Sequence, residues 1–296
     1  MKTYELPSPT AFENRLLKLL SGSAVGASDW KVFPSGEFHV RVGRPGKKAV
    51  VIGRTQPPAD NFLRTLLLVD TLRRNGCRDI TLLLPYFAYA RQDRQIRPGD
   101  PLSAQALLTA LKAAGVRRIV TVDLHSRRVA AASPIPIRSL EVTRLFAGEL
   151  KRKLRKTVFS VVAPDRGAVA RARSFARAVG GRPQVVWADK VRGVSGKVIS
   201  MRLSAVPRSQ TAVIVDDLLD TGGTVEGAAR LLRSLGVKDI YLCVTHPIFS
   251  GAAARLVGRL GFRRILVADA YDGGVAHRLP NFRTVAVGQL LAKAVK

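Results

Sequence analysis

The sequence predicts an α/β protein made of two consecutive, similar domains, each a mostly parallel sheet flanked by helices. Three observations carry that reading. Short β-branched runs alternate with amphipathic helical stretches along the chain, the order that a parallel sheet with right-handed crossovers requires. The runs are apolar on both faces, as strands covered by helices on either side are. One helix-to-strand junction recurs four times, twice in each half.

In chain order the candidate strands are Ala49–Gly53, Ile80–Pro85, Ile119–Leu124, Phe159–Ala163, Ala212–Val215, Ile240–Thr245 and Ile265–Ala268. Helical periodicity covers Asn61–Asn75, Ser103–Ala114, Gly167–Val179, Thr224–Leu235 and Gly251–Leu260. The repeated junction is a helix end, a glycine, a basic residue and then isoleucine opening a strand. Its copies are Asn75-Gly76-Cys77-Arg78-Asp79-Ile80, Ala114-Gly115-Val116-Arg117-Arg118-Ile119, Leu235-Gly236-Val237-Lys238-Asp239-Ile240 and Leu260-Gly261-Phe262-Arg263-Arg264-Ile265. Glycine suits the left-handed position that ends a helix. The pattern reads as duplication of one α/β domain, with the boundary near Pro134–Arg144. The expected domains are 1–140 and 141–284, with a tail at about 285–296 packing on the first.

Composition narrows the function. The chain has 296 residues, long enough for two domains, and is 47% hydrophobic but only 6% aromatic, so its core is built mainly from Val, Leu, Ile and Ala. Lys and Arg number 49 against 21 Asp and Glu, a net charge of +28. That excess excludes an acidic solvating protein and favours polyanionic partners: nucleic acid, phosphorylated small molecules or an anionic surface. Two cysteines, Cys77 and Cys243, exclude a disulfide scaffold and a Cys-rich zinc module and read as buried small hydrophobes. The first twenty residues carry Glu5, Glu13 and two prolines, unlike a secretory signal. No apolar run approaches the roughly 20 residues that span a bilayer. A cytoplasmic protein with no membrane partner is expected.

The strongest motif is Thr211-Ala-Val-Ile-Val-Asp-Asp-Leu-Leu-Asp-Thr-Gly-Gly-Thr-Val225. A hydrophobic strand ends in Asp216 and Asp217, a turn follows with Asp220, Thr221, Gly222, Gly223 and Thr224, and a helix begins. Small residues at a strand-to-helix turn let backbone N–H groups converge on an anion, and the helix N-terminus adds positive partial charge. No Gly-Lys-Ser/Thr follows, so this is not a Walker A loop. Two carboxylates beside a phosphate cradle make sense when the ligand also carries neutral vicinal hydroxyls, which carboxylates accept from well. A sugar phosphate meets both demands.

This stretch resembles the phosphoribosyl-pyrophosphate (PRPP) binding loop of type I phosphoribosyltransferase folds. Further blocks extend the likeness over nearly the whole chain: Phe33-Pro34-Ser35-Gly36-Glu37, Pro85 to Arg94, Asp123-Leu124-His125-Ser126, Ala163-Pro164-Asp165-Arg166-Gly167, Asp189-Lys190-Val191-Arg192 and Thr245-His246-Pro247. They stand in the order seen in the ribose-phosphate pyrophosphokinase (PRPP synthetase) family, which has two tandem phosphoribosyltransferase-like domains. The resemblance implies transfer of a diphosphoryl group from MgATP to the anomeric hydroxyl of ribose 5-phosphate, giving PRPP and AMP. It implies Lys190 and Arg192 as the catalytic basic pair on a loop that Gly193, Ser195 and Gly196 would let close, with Arg192 also at the ribose 5-phosphate. It implies Phe33, Ser35, Glu37, Arg91, Gln92 and His125 for ATP, and His125 and Asp165 for Mg²⁺. Asp216, Asp217, Asp220, Thr221, Gly222, Gly223 and Thr224 would take ribose 5-phosphate. Phe33, Ser35 and Glu37 match a segment that reaches a neighbouring subunit's adenine, which implies a homo-oligomer, dimer or hexamer, with a shared ATP site.

The sequence departs from the family where Ser35 replaces the usual Asp or Asn, and at Arg166-Gly167-Ala168, where many members have paired glycines. The stretch Arg97-Pro98-Gly99-Asp100-Pro101-Leu102-Ser103 resembles the shorter archaeal-type branch. The alternatives are a phosphoribosyltransferase that consumes PRPP and a non-catalytic, synthetase-like regulatory subunit. The duplicated chain and the Lys190 block oppose the first; retention of Lys190, His125 and the Asp216–Thr224 loop opposes the second. Nucleic acid is disfavoured as a partner: the basic run Lys151-Arg152-Lys153-Leu154-Arg155-Lys156 comes with no zinc, helix-turn-helix or RNP signature. His39, His246 and His277 read as structural or peripheral.

Overall fold

The computed structural model describes residues 1–20, 24–26, 28–192, 198–271, 279 and 281–295, of which 24, 190–192 and 198–200 are described by backbone alone. It comprises two compact units, Met1–Leu140 with Val287–Lys296, and Glu141–Ala286.

In the first unit the elements are β1 (Lys2–Glu5), α1 (Ala11–Leu19), β2 (Ala24–Val25), β3 (Ser28–Val32), β4 (Phe38–Val42), β5 (Lys48–Ile52), α2 (Asp60–Arg74), β6 (Asp79–Leu84), α3 (Ser103–Ala114), β7 (Val116–Val122), α4 (Arg127–Ala131) and β8 (Ile137–Leu140). The sheet order is β2-β1-β5-β6-β7-β8, and every pairing is parallel. β3 and β4 form a separate antiparallel hairpin. The central strands are buried on both faces, as their unbroken apolar runs require; Leu68 and Leu72 of α2 and Leu108 and Leu111 of α3 cover Ile80, Leu82, Leu84 and Ile119. Each such side chain contributes about 1.5–3 kcal/mol on burial.

α1 starts at a capping box, in which Thr10 Oγ1 accepts from the Glu13 amide at 3.2 Å and Glu13 Oε2 accepts from the Thr10 amide at 2.7 Å. Glu13 also forms a buried ion pair with Arg54, whose Nε donates to Oε1 at 2.7 Å. Removing either partner would strand a buried charge.

The second unit runs α5 (Thr143–Leu154), β9 (Ser160–Ala163), α6 (Val169–Val179), β10 (Gln184–Arg192), β11 (Val198–Leu203), β12 (Thr211–Leu219), α7 (Gly223–Ser234), β13 (Asp239–Pro247), α8 (Ala253–Arg259), β14 (Arg264–Ala268) and β15 (Phe282–Val285). Its order is β11-β10-β9-β12-β13-β14-β15, parallel except for the β10–β11 hairpin. A last helix, α9 (Gly288–Val295), belongs to the first unit and packs on α1, where a Cβ at Gly288 would lie 2.9 Å from Leu19 Cδ1.

The repeated junction has a structural counterpart. Gly76, Gly115, Gly236 and Gly261 take φ of +93°, +115°, +83° and +64°, the left-handed region that only glycine enters cheaply. In each unit the aspartate of one junction pairs with an arginine of the next, Asp79 with Arg118 and Asp239 with Arg263. Cys77 and Cys243 are buried, and burial pushes both thiols upward.

Several strand boundaries differ from expectation. β7 begins at Val116 and stops at Val122, because Asp123 turns to φ +37° and ends the extended run. β12 continues through the acids to Leu219, because β13 supplies a ladder there, with Leu218 opposite His246 and Leu219 opposite Pro247.

Candidate active site

β12 lies between β9 and β13, and toward its carboxyl end it carries Asp216 and Asp217, with Asp220 in the turn that follows. Asp216 and Asp217 sit within the strand rather than at its end, and both are buried, 9% and 3% exposed. The Asp217 amide donates to Asp216 Oδ1 at 2.9 Å. Arg171 reaches them from α6, its Nη1 3.2 Å from Asp217 Oδ1 and 3.7 Å from Asp216 Oδ1. Burial raises the Asp216 pKa well above the ordinary carboxylate value, and the neighbouring Asp217 charge raises it further; Arg171 opposes, and Asp165 adds a smaller repulsion. The Arg171 guanidinium thus faces both carboxylates, and ionised carboxylate oxygens accept from hydroxyls or a hydrated cation.

Arg171 was not among the residues singled out in the sequence. The signal was its place on α6: it lies four residues before Phe175, on the side of the helix that also buries Ala172 and Phe175. An arginine there needs a partner in the interior.

The turn after β12 is built by its glycines. Gly222 has φ +85° and precedes α7, and a Cβ there would approach Leu256 Cδ2 of α8 to 3.2 Å. Gly223 opens the helix with an ordinary φ, and a Cβ there would meet nothing within 4 Å. α7 starts without a side-chain cap, so its first turn presents N–H groups outward together with the helix dipole. Asp220, Thr221, Gly222, Gly223 and Thr224 thus make the turn that joins the acid-bearing strand to α7, with open space in the Cβ direction of Gly223.

Asp165 follows β9 on the same edge and accepts from the Ala168 amide at 3.3 Å, starting a short 3₁₀ turn. Arg166 forms a two-pronged ion pair with Asp189 of β10. That bond holds the Asp189 carboxyl below the usual range. Lys190 and Arg192 follow in β10, with Lys190 opposite Met201 and Arg192 opposite Val198, and the pairing slips between Val191 and Arg192. Their side chains, and Gly193, Ser195 and Gly196, lie outside the described residues, as does His277.

In the first unit Phe33, Ser35 and Glu37 form the exposed tip of the β3–β4 hairpin. Phe33 N donates to Glu37 O at 2.9 Å and Ser35 Oγ to Glu37 Oε2 at 2.8 Å. Lys31 and His39 flank the Phe33 ring. Arg91 and Gln92 lie on the turn after β6, where Gln92 bonds Ser103. His125 is exposed, three residues beyond β7. Ser126 caps α4 and donates to Asp93 Oδ2 at 2.5 Å, so it ties the Arg91–Gln92 turn to the His125 loop. Asp93 and Ser126 thus join residues that sequence order alone leaves apart. His246 is buried in β13, and His39 lies against Phe33.

Among the described residues no group of three His, Cys, Asp or Glu could enclose a metal. The acids on the β9–β12 edge fit a hard cation that keeps waters and shares substrate phosphates, as Mg²⁺ does, and not an all-protein cage. No helix among the described residues is long and apolar enough to cross a membrane.

An acid pair and a glycine turn opening a helix thus stand at the carboxyl edge of a parallel sheet, where open α/β folds take their ligands. Residues 133–259 match the phosphoribosyl transferase domain family, and residues 4–115 match the N-terminal domain of ribose phosphate pyrophosphokinase. The chain is 34% identical over 277 residues to a ribose-phosphate pyrophosphokinase of Mycobacterium leprae, covering 92% of this chain and 84% of that one. It is 31% identical over 298 residues to the enzyme of that name from Helicobacter hepaticus, covering 100% and 94%. The crystal structure of phosphoribosylpyrophosphate synthetase from Mycobacterium smegmatis superposes with a TM-score of 0.90 at 29% identity, over 99% of this chain and 97% of that one. The chain belongs to the ribose-phosphate pyrophosphokinase family.

Proposed function

We propose that this chain is a ribose-phosphate diphosphokinase, which moves the β,γ-diphosphoryl group of MgATP to O1 of ribose 5-phosphate and releases AMP. The observation that carries the reading is one sheet edge holding both the glycine turn that opens α7 and a buried acid pair facing Arg171. A ligand for that edge offers phosphate to the amides and neutral hydroxyls to the carboxylates, and a sugar phosphate does both. In this reading the phosphate sits on the backbone of Thr221–Thr224, beside Asp220, and a ribose hydroxyl on Asp216 or Asp217.

O1 attacks the β-phosphorus in line. As that bond forms, the bond from the β-phosphorus to the oxygen bridging the α-phosphorus breaks, its electron pair leaves with AMP, and the O1 proton passes to solvent. Such a transfer needs positioning and positive charge more than covalent help. Lys190 and Arg192 are assigned the charge that builds on the transferred group, with Arg192 also at the sugar phosphate. Phe33, Ser35, Glu37, Arg91, Gln92 and His125 are assigned to ATP, and Asp165 and His125 to the metal. Bound Mg²⁺ would supply charge neutralisation across the phosphate oxygens. The exposed Phe33–Glu37 tip suits a neighbouring copy's adenine, so the active form is a cytoplasmic homo-oligomer. Incubation with MgATP and ribose 5-phosphate should yield AMP and PRPP in equal amounts; stoichiometric ADP, or no turnover, overturns the reading.

A further inference from the structure

A groove of about 790 Å³ between α7 and α8 is lined by Arg230 and Arg233 from one helix and Arg255 and Arg259 from the other, with Leu256 and Leu260 among them. The spacings, three residues on α7 and four on α8, put each pair on one helix face. Glu226 pairs with Arg230 at 2.9 Å. Arg233 is anchored on the carbonyls of Lys238 and, at 3.0 Å, Gly261. Among the described residues no carboxylate pairs with Arg255 or Arg259. Four guanidinium groups against one carboxylate leave a surplus of three positive charges around one concavity. Like charges one helical turn apart destabilise a helix, so such a gathering is offset when an anion fills it. The +28 charge of the chain explains many scattered arginines, but not a pre-anchored guanidinium facing two unpaired ones across a cavity.

We propose that this groove is an anion site, separate from the acid pair, that takes a condensed phosphate chain: inorganic polyphosphate or the phosphate tail of a nucleoside triphosphate. Each arginine row spans a helical turn, about 5–6 Å between side-chain bases, which is longer than one phosphate. Guanidinium forks match phosphate oxygens two by two. The volume is that of a small-ligand pocket, about 300–1,000 Å³, and a nucleic-acid duplex is far larger. Leu256 belongs to the groove and also backs the turn, since a Cβ on Gly222 would lie 3.2 Å from its Cδ2. The site stands on these contacts alone and does not depend on the proposed activity.

The test is calorimetric titration of inorganic tripolyphosphate into the full chain and into an Arg255→Glu/Arg259→Glu variant. Both side chains are exposed, so the variant should keep the parent melting temperature. The variant should lose a binding component present in the parent, or bind it at least about tenfold more weakly, and that component should weaken further as salt rises. It should persist in Gly223→Val, which separates it from the turn. ATP matching tripolyphosphate in that component identifies the chain alone as the ligand; tighter ATP places the nucleoside on Leu256 and Leu260. Identical titrations of parent and variant, an orthophosphate affinity equal to that of tripolyphosphate, or Arg255-dependent binding of duplex DNA without tripolyphosphate binding overturns the assignment.

Discussion

Gly223→Val separates a turn that binds phosphate from one that only joins a strand to a helix. The two adjacent glycines differ physically. Gly222 is held at φ +85° with α8 close behind it, so a side chain there strains the fold. A non-glycine residue in that region costs about 1–2 kcal/mol before any contact with Leu256 is counted. Gly223 has neither constraint: its Cβ direction is open for 4 Å. In the first turn of α7, valine is even about 0.3–0.5 kcal/mol better than glycine in helix propensity. The folded state should therefore keep its melting temperature within a few degrees. Ligand binding should not survive, because the branched side chain occupies the space in front of the amides. A hydrogen bond to a charged group is worth about 1.5–3 kcal/mol, so displacing the phosphate from two amides costs about 3–6 kcal/mol, a hundredfold or more in affinity. Calorimetric titration of ribose 5-phosphate, paired with thermal denaturation, reads both quantities. Gly222→Ala serves as the contrast and should lower the melting temperature. If Gly223→Val binds ribose 5-phosphate like the parent, the phosphate sits elsewhere.

Asp216 predicts a pH dependence. Its folded-state pKa is raised above the ordinary 3.8, so the native state holds this proton more tightly than the unfolded chain does. Stability from this group is full below the unfolded value and is lost as pH rises toward the folded one. Asp216→Asn should melt higher than the parent at pH 7–8, show a flatter profile above about pH 4, and bind ribose 5-phosphate more weakly, though less so than Gly223→Val. A lower melting temperature at neutral pH would contradict the cause assigned here. Lys190→Ala should reduce kcat far more than ribose 5-phosphate affinity, because its charge is assigned to the transition state; steady-state kinetics beside calorimetry decides, and an unchanged kcat refutes the role. Mixing Lys190→Ala chains with Glu37→Ala chains should restore part of the activity through hybrid sites, and a fully active monomer by light scattering rules out the shared site.

The local grammar of this protein is in its sequence. The four glycine junctions are covalently adjacent patterns, and each takes the left-handed turn that its glycine permits. The parallel strands show as unbroken apolar runs because helices cover both faces. The turn after β12 is likewise legible, since its residues are neighbours in the chain and a strand-to-helix turn with paired glycines has few conformations. Elements without such a signature were not visible. β1, β8 and β15 mix exposed or half-buried positions with buried ones over four residues, so unlike the fully buried β9 they show no unbroken apolar run. The β3–β4 hairpin alternates half-buried and exposed residues, so no apolar run marks it.

The site divides in the same way. Asp216, Asp217 and the glycine turn stand together in the chain, but the length of β12 depends on β13, whose backbone pairs with Leu218 and Leu219 and keeps the acids inside the sheet. Arg171 lies 45 residues before Asp216, and only the packing of α6 against β12 brings its guanidinium to the carboxylates. Asp93 reaches Ser126 in the same manner across the first unit. Sequence determines which groups a segment can offer, because propensity and turn chemistry act over a few bonds. Which charges face one another, and hence how far Asp216 holds its proton, is decided by tertiary structure, because desolvation and Coulomb energy depend on distance in space and not on separation along the chain.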